Sequence, residues 1–328
     1  MSPKIILGTM SFGLEHTDAS ASAVRVRGVE SVKPFLDMFK KYGHEELDSA
    51  RIYCQGHTDQ VLGELAPPSS GFKIAAKVYP ASPGDHDAVN LPKIFHESLT
   101  ALKTNKVDVF YLHAPDYTTP FEVTLKVVDD MYRQGMFERF GLSNYSAWQV
   151  AQIHGICKRN GYILPTVYQG QYNAITRGIV RELLPCLRAH NMVFYGWNPV
   201  AGGFLSGKFN FDSEDNISKG GRFDSKSGFG WMFRGFFWHP VFFSETADRL
   251  KIDLLEASLR WMAHHSDLGP EDGVIVGASK LQHLEQNLIN LQKGPLPKEM
   301  VNAFDQAWED TKAATPLYYY PAPAPKEE

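Results

Sequence analysis

Three cysteines in 328 residues leave little to build a covalent or metal-held scaffold from. Cys54, Cys157 and Cys186 are odd in number and form neither a Cys-x-x-Cys pair nor a Cys/His cluster with metal spacing. They are expected to be free thiols of a reducing compartment, and no metal is expected. Long apolar runs are also missing. The first thirteen residues, Met1 to Gly13, hold an apolar run too short for a signal segment, and no stretch approaches the ~18 residues of a membrane span. A cytoplasmic protein without membrane association is the expectation. Excess charge of one sign is absent too. A net charge of -4 and a pI near 6.3 give no basic footprint for nucleic acid or anionic lipid. Finally, the first apolar run is followed by Gly8-Thr9-Met10-Ser11-Phe12-Gly13, not by Gly-x-Gly-x-x-Gly, which argues against a doubly wound dinucleotide-binding sheet.

What is present is regular alternation. Hydrophobic residues make up 43% of the chain, ample for one large core. Short runs rich in Val, Ile, Phe and Tyr recur at Lys4–Leu7, Glu46–Leu47, Lys73–Ala76, Val107–Leu112, Arg139–Leu142, Thr166–Gln169, Val193–Trp197 and Gly273–Val276. Several are apolar at successive positions, as strands buried on both faces must be. Between them lie amphipathic helical patterns at Val32–Tyr42, Leu91–Leu102 (with Asn90 as cap), Phe121–Tyr132, Ser146 to Asn160, Ile179–His190, Thr246–His265, Leu281–Leu291 and Lys298–Lys312. Thr119-Pro120-Phe121-Glu122 and Ser146-Ala147-Trp148-Gln149 both read as capping boxes, the first with Pro at the opening helical position. Eight strands each followed by a helix predict an α/β fold: a (β/α)8 TIM barrel, a single domain over residues 1–315 with an extended tail over 316–328.

Two segments break the rhythm. Residues 209–243 are dense in Gly, Phe and Trp, and so long a loop in a compact domain is usually functional. The tail after Thr315, Pro316-Leu317-Tyr318-Tyr319-Tyr320-Pro321 and onward, ends in Pro/Ala repeats whose last part is expected to be extended and mobile.

A parallel barrel gathers catalytic groups at the C-terminal ends of its strands. Asp48 directly follows the second strand, Tyr53 lies five positions on, Lys77 ends the third strand and His113 the fourth. Singly, each has an ordinary reading: a cap, a packed ring, a solvated cation, a structural imidazole. Together on three successive strands they suit carbonyl reduction. Charge then develops on oxygen and a proton must be supplied there. Tyr53 can supply it, with Lys77 expected to lower the phenol pKa, Asp48 to hold Lys77, and His113 to orient the carbonyl.

These residues resemble the Asp-Tyr-Lys-His tetrad of the aldo-keto reductase superfamily. Leu7-Gly8-Thr9-Met10, Leu47-Asp48-Ser49-Ala50-Arg51-Ile52-Tyr53 and Gly56-His57-Thr58-Asp59-Gln60-Val61-Leu62-Gly63 fit as well. Leu112-His113-Ala114-Pro115-Asp116, Tyr168 to Ala174 and Asn198 to Lys208 are most similar to the aflatoxin-aldehyde reductase branch. The resemblance covers the chain from Lys4 to about Trp308. It implies NADPH as cofactor. Ser143, Asn144 and Gln169 would meet the nicotinamide carboxamide and Trp197 would stack on the ring. Asn198, Pro199, Val200, Gly202, Gly207 and Lys208 would lie along the pyrophosphate. Gly277, Ser279, Lys280, Gln282, His283, Gln286 and Asn287 would form the adenosine-phosphate site. Ser279-x-x-Gln282 also reads as a capping box, and a helix N-terminus there favours a 2′-phosphate. Many relatives carry Arg where this chain has Ser279, with Lys280 as the compensating cation.

For substrate, the resemblance points to His113 and to Trp231 and Arg234 of the long aromatic segment. Arg222 could instead face the cofactor phosphates. Relatives acting on small carboxylated aldehydes end in a Tyr-Phe-Arg type of terminus. This chain instead has Tyr318-Tyr319-Tyr320-Pro321, which argues for a less polar carbonyl compound. The expected activity is therefore NADPH-dependent reduction of an aldehyde or ketone. An NADPH-holding redox-sensing subunit is the alternative from the binding class. A metal-dependent hydrolase using Asp48 and His113 lacks a second ligand at suitable spacing. The branch implies a homodimer, and no element of the sequence specifies its interface.

Overall fold

The structure, a computed structural model, describes residues 2–17, 24–66, 68–207 and 242–323. Eight parallel strands close on one another: β1 (Lys4–Gly8), β2 (Glu46–Asp48), β3 (Lys73–Val78), β4 (Val107–Leu112), β5 (Phe137–Ser143), β6 (Pro165–Gln171), β7 (Val193–Trp197) and β8 (Gly273–Val276). Each pairs with its sequence neighbour, and β1 closes the ring on β8 through Lys4↔Gly273 to Leu7↔Val276. This is the (β/α)8 barrel that the alternation predicts, and each of the eight expected strands is present.

The strands are apolar on both sides because they separate two cores. Inside the barrel Ile6, Ala75, Val109, Tyr111, Val167, Tyr195 and Ile275 pack together. Outside, Leu7, Leu47, Ile74, Phe110, Leu142 and Phe194 meet the helices. Tyr111 lies over Gly141 of the neighbouring strand, where a Cβ would stand 2.3 Å from the ring.

The helices are α1 (Val29–Lys41), α2 (His57–Leu65), α3 (Asn90–Ala101), α4 (Phe121–Arg133), α5 (Ala147–Asn160), α6 (Leu183–Ala189), α7 (Phe242–Leu250), α8 (Leu254–His264), α9 (Leu281–Gln292) and α10 (Lys298–Thr311). The Ser146–Gln149 capping box forms reciprocally. Other expected caps do not. Thr119 gives its hydroxyl to Asp116 Oδ2 (2.8 Å), and Pro120 occupies the N-cap of α4. At α3, Asp87 accepts the backbone N–H groups of Val89 (2.8 Å) and Asn90 (2.7 Å) in place of an Asn90 cap. The pattern Ile179–His190 yields helix only from Leu183, because the ring of Pro185 clashes with a helical carbonyl four residues earlier. Thr246–His265 is two helices. Lys251 adopts a positive φ of 54°, and Asp253 caps α8 by accepting from Leu255 N and Glu256 N. Among the described residues no helix is long and apolar enough to cross a membrane.

Residues 316–323 have no regular secondary structure, yet they are fastened to the rim. Tyr320 N–H donates to Asn144 O (3.0 Å), Tyr117 Oη–H donates to Tyr320 O (2.6 Å), and Ala147 N–H donates to Tyr318 Oη (3.0 Å).

Candidate active site

The register of the barrel sets the site. Gly8 lies level with Asp48, Asp48 with Ala75, and Lys77 with Tyr111. Lys77 therefore emerges two residues above Asp48 on the adjacent strand, and its ammonium reaches back to Asp48 Oδ1 (2.6 Å) and to Ser49 O (2.8 Å). Gln169 Nε2 donates to the same Asp48 oxygen (2.7 Å). Lys77 is fully buried and Asp48 nearly so. Burial pulls the Lys77 amine down from its ordinary value, while the Asp48 and Asp59 carboxylates pull it back up. A lysine in this position is an ion-pair partner rather than a solvated cation.

Tyr53 begins the irregular turn after β2, where Cys54 and Gln55 both take positive φ, and its ring is only partly covered. Lys77 Nζ stands 5.0 Å from the Tyr53 ring centroid, and the His113 ring meets Tyr53 edge-on at 6.0 Å. All four tetrad residues thus converge on one rim. One expectation is reversed in its net effect: with Lys77 beside it, the Tyr53 phenol is raised rather than lowered. The Lys77 charge is engaged by Asp48, and burial, then Asp48, hold the phenol well above its ordinary value. His113 is held well below the ordinary imidazole range by burial, then by Lys77 and His86, so its ring is neutral near pH 7. Its Nδ1 is buried without a hydrogen-bond partner.

The residues expected to hold cofactor lie around the same end. Ser143 and Gln169 pair in register at the ends of β5 and β6. Asn144 follows with a positive φ of 64°, its Nδ2 donating to His113 O (2.8 Å) and to Ser143 Oγ (3.0 Å). Trp197 ends β7 level with Gln171, half-buried. The turn after it bends through Asn198, Ala201, Gly202, Gly203 and Gly207, all at positive φ, with Asn198 Oδ1 accepting from Gly202 N–H, Pro199 buried and Val200 half-buried. After β8, Gly277 is exposed, as are Ser279, Lys280, Gln282 and Gln286, with His283 half-buried. Ser279 forms no capping box: Lys280 holds the N-cap, and the Ser279 hydroxyl lies 3.4 Å from His283 Nδ1. Asn287 is buried, its Nδ2 donating to Gly277 O (3.4 Å) and its Oδ1 unpaired. Lys208, Arg222, Trp231 and Arg234 fall outside the described residues.

Several groups at this rim escape a reading by strand ends. Tyr79 meets His113 edge-on at 5.6 Å, and Tyr320 lies near enough to act electrostatically on Tyr53 and Tyr79. Gln171 Nε2 is buried and unpaired. Asp59, on α2, accepts from Ser49 Oγ and Ser98 Oγ, both at 2.6 Å, directly behind Lys77. The signals were faint: a Gln two positions beyond Gln169, and an acidic residue on the buried face of a helix.

The Aldo/keto reductase family model matches residues 4–309. The chain belongs to the aldo/keto reductase family. As an aldo/keto reductase it is an oxidoreductase of a family that uses NADP(H). It is 42% identical to mouse "Aflatoxin B1 aldehyde reductase member 2", over 97% of this chain and 88% of that protein. The human protein of the same name is 40% identical, over 96% and 89% respectively. The fold is similar to that of an aldo/keto reductase from Klebsiella pneumoniae solved with NADP and acetate, with a TM-score of 0.67 and 20% identity, covering 94% of this chain and 92% of that one.

Proposed function

We propose that this aldo/keto reductase reduces an aldehyde or ketone to the alcohol with NADPH, Tyr53 acting as general acid. The observation that carries the reading is the convergence of Tyr53, His113 and the buried Lys77–Asp48 pair on one rim beside unpaired polar atoms. Those atoms, His113 Nδ1, Gln171 Nε2 and Asn287 Oδ1, together with the positive-φ turn from Asn198 to Gly207, fit a large polar ligand laid along the rim. In this reading Ser143, Asn144 and Gln169 hold the nicotinamide end and Trp197 covers it. Asn198 to Gly207 follow the pyrophosphate, and Gly277 to Asn287 take the adenosine end, with Lys280 beside its phosphate. When bound, NADPH supplies a hydride to the carbonyl carbon.

The protein's own residues handle the oxygen. His113, neutral, donates a hydrogen bond to the carbonyl oxygen and fixes its direction. Tyr53 keeps its proton through neutral pH because burial and Asp48 oppose the phenolate. An alkoxide is a far stronger base than a phenolate, so the transfer from Tyr53 runs downhill even from a raised phenol. Lys77 stabilises the phenolate left behind, and Asp48 with Gln169 fixes Lys77 in place. Tyr53, Tyr79 and Tyr320 make the mouth aromatic, which suits an apolar or aromatic aldehyde. NADPH as reductant and three free thiols agree with a cytoplasmic setting. A homodimer belongs to the same reading.

The test is NADPH consumption with 4-nitrobenzaldehyde, in the natural chain and in Tyr53→Phe. Consumption that disappears in the variant supports the reductase. Tight NADPH binding without turnover across a panel of aldehydes would instead support a redox-sensing subunit.

A further inference from the structure

Behind the Lys77–Asp48 pair lies a second carboxylate. Asp59 is fully buried, and each of its oxygens takes one short hydrogen bond: Oδ1 from Ser49 Oγ and Oδ2 from Ser98 Oγ, both 2.6 Å. Neither partner is a cation. One hydroxyl donor on each oxygen favours the ionised carboxylate, against the burial that raises its pKa above the ordinary value. Ser49 is also the residue whose carbonyl takes the second hydrogen bond from the Lys77 ammonium (2.8 Å). Asp59 therefore fixes the side chain of the residue whose main chain seats Lys77.

The helix positions needed for this are built in. Gly63, one turn further along α2, touches the end of α3 so closely that a Cβ there would stand 2.2 Å from Ala101 O. That approach lets Ser98, on α3, reach Asp59. The charged or titratable groups acting on Asp59 are Lys77 and Arg51. Arg51 is itself ion-paired with Glu97 (3.2 Å). Those around Lys77 are Asp48, Asp59, Tyr53, Tyr111 and His113. Lys77 thus faces two carboxylates in a buried space. Burial of a second negative charge that makes no ion pair is costly to the fold.

We infer that Asp59 is a positioning residue of the reductase site: through Ser49 it seats Lys77, and its charge adds to the groups that hold the proton on Tyr53. The inference rests on the reading of Tyr53 as the acid. Its direction follows from sign alone. Asp59 opposes the Tyr53 phenolate and favours the Lys77 ammonium, acting on each after Asp48. Removing the charge lowers the pH at which Tyr53 ionises.

The experiment uses the full chain as the natural protein, Asp59→Asn, Asp59→Glu and Ser98→Ala. Asparagine keeps the shape, and the two serine hydroxyls can accept as well as donate. If that chain does not fold, Asp59→Ser supplies the neutral arm. Two readouts are taken across alkaline pH: the turnover number for aldehyde reduction, and the phenolate absorbance that Tyr53→Phe removes from each background. The neutral variant is expected to bring both the alkaline loss of turnover and the Tyr53 titration down by about one pH unit. Asp59→Glu and Ser98→Ala, which keep the charge, are expected to hold the natural position. A neutral variant that titrates with the natural protein overturns the inference, as does a Ser98→Ala shift of equal size. Absence of turnover in every protein would count against the reductase reading alone, because the phenolate titration still decides the role of Asp59.

Discussion

Strand β2 carries two carboxylates, Glu46 and Asp48, two residues apart, and each anchors a polar cluster of the barrel. At the Glu46 end the polar groups answer one another. Arg139 donates to Glu46 Oε2 (3.3 Å), to Asp108 and to Tyr195 Oη (3.1 Å), and Tyr195 Oη donates to Glu46 (3.0 Å). Burial works against the Arg139 charge, yet its bonds to Asp108 and Tyr195 raise it above its ordinary value. At the Asp48 end Lys77 and Gln169 satisfy one carboxylate oxygen, while Tyr111 Oη, His113 Nδ1 and Gln171 Nε2 remain unpaired. Tyr111 lies between the two clusters and feels both Asp48 and Tyr195. The same strand and the same chemistry thus produce a closed network at one end and an open one at the other. Closure serves the fold; the open groups are held ready for something the chain itself does not supply.

The sharpest way to break this contrast is at the open end. Tyr53→Phe should lower the turnover number for aldehyde reduction by about 10³-fold while the thermal midpoint changes little. A variant that keeps its activity would remove Tyr53 as the acid. The closed end should behave in the opposite sense. Arg139→Met leaves Glu46 and Asp108 without their cation and should cost about 2–3 kcal/mol, discounted for partial exposure, with turnover unchanged. Urea unfolding read beside steady-state kinetics checks both halves. Gly63→Ala should cost about 1–3 kcal/mol by forcing α2 from α3, and it tests whether support of the open end depends on that helix contact.

Acid should discriminate between the ends as well. His86 and His113 are both held below the ordinary imidazole value by burial, whereas Arg139 does not titrate in this range. A lowered folded-state pKa means that the unfolded chain binds protons the native one does not. The resulting stability is complete above about pH 6.5 and is lost as pH falls below it. The thermal midpoint should therefore drop between pH 7 and pH 5, and His86→Gln should flatten that drop. The smallest effect belongs to Ser146→Ala, about 1 kcal/mol from the lost cap of α5, which follows the open end of β5.

Several strands were legible because burial on two faces leaves an apolar run, as in Val107–Leu112 and Gly273–Val276, and the rest followed from the regular alternation with helices. The convergence of Asp48, Tyr53, Lys77 and His113 was legible because strand ends fix where such side chains emerge. Caps were read less well, since Thr119, Asn90 and Ser279 have the right chemistry but a competing partner or a different backbone, and only structure decides the competition. The break before α8 had a signal, Asp253 ahead of Leu254-Leu255, hidden inside a continuous helical period. Asp59, Ser98 and Tyr320 gave almost none. Their importance comes from contacts between distant segments, which spacing along a chain does not encode.

The fastening of Tyr320 has a consequence for the order in which this enzyme is made. Tyr117 and Tyr320 are separated by 203 positions. A chain that folds as it is synthesised completes its barrel before these last residues emerge. The Tyr320 side of the rim is then laid after the barrel, and a nascent chain stalled short of Tyr320 would hold a finished barrel with an unfinished mouth.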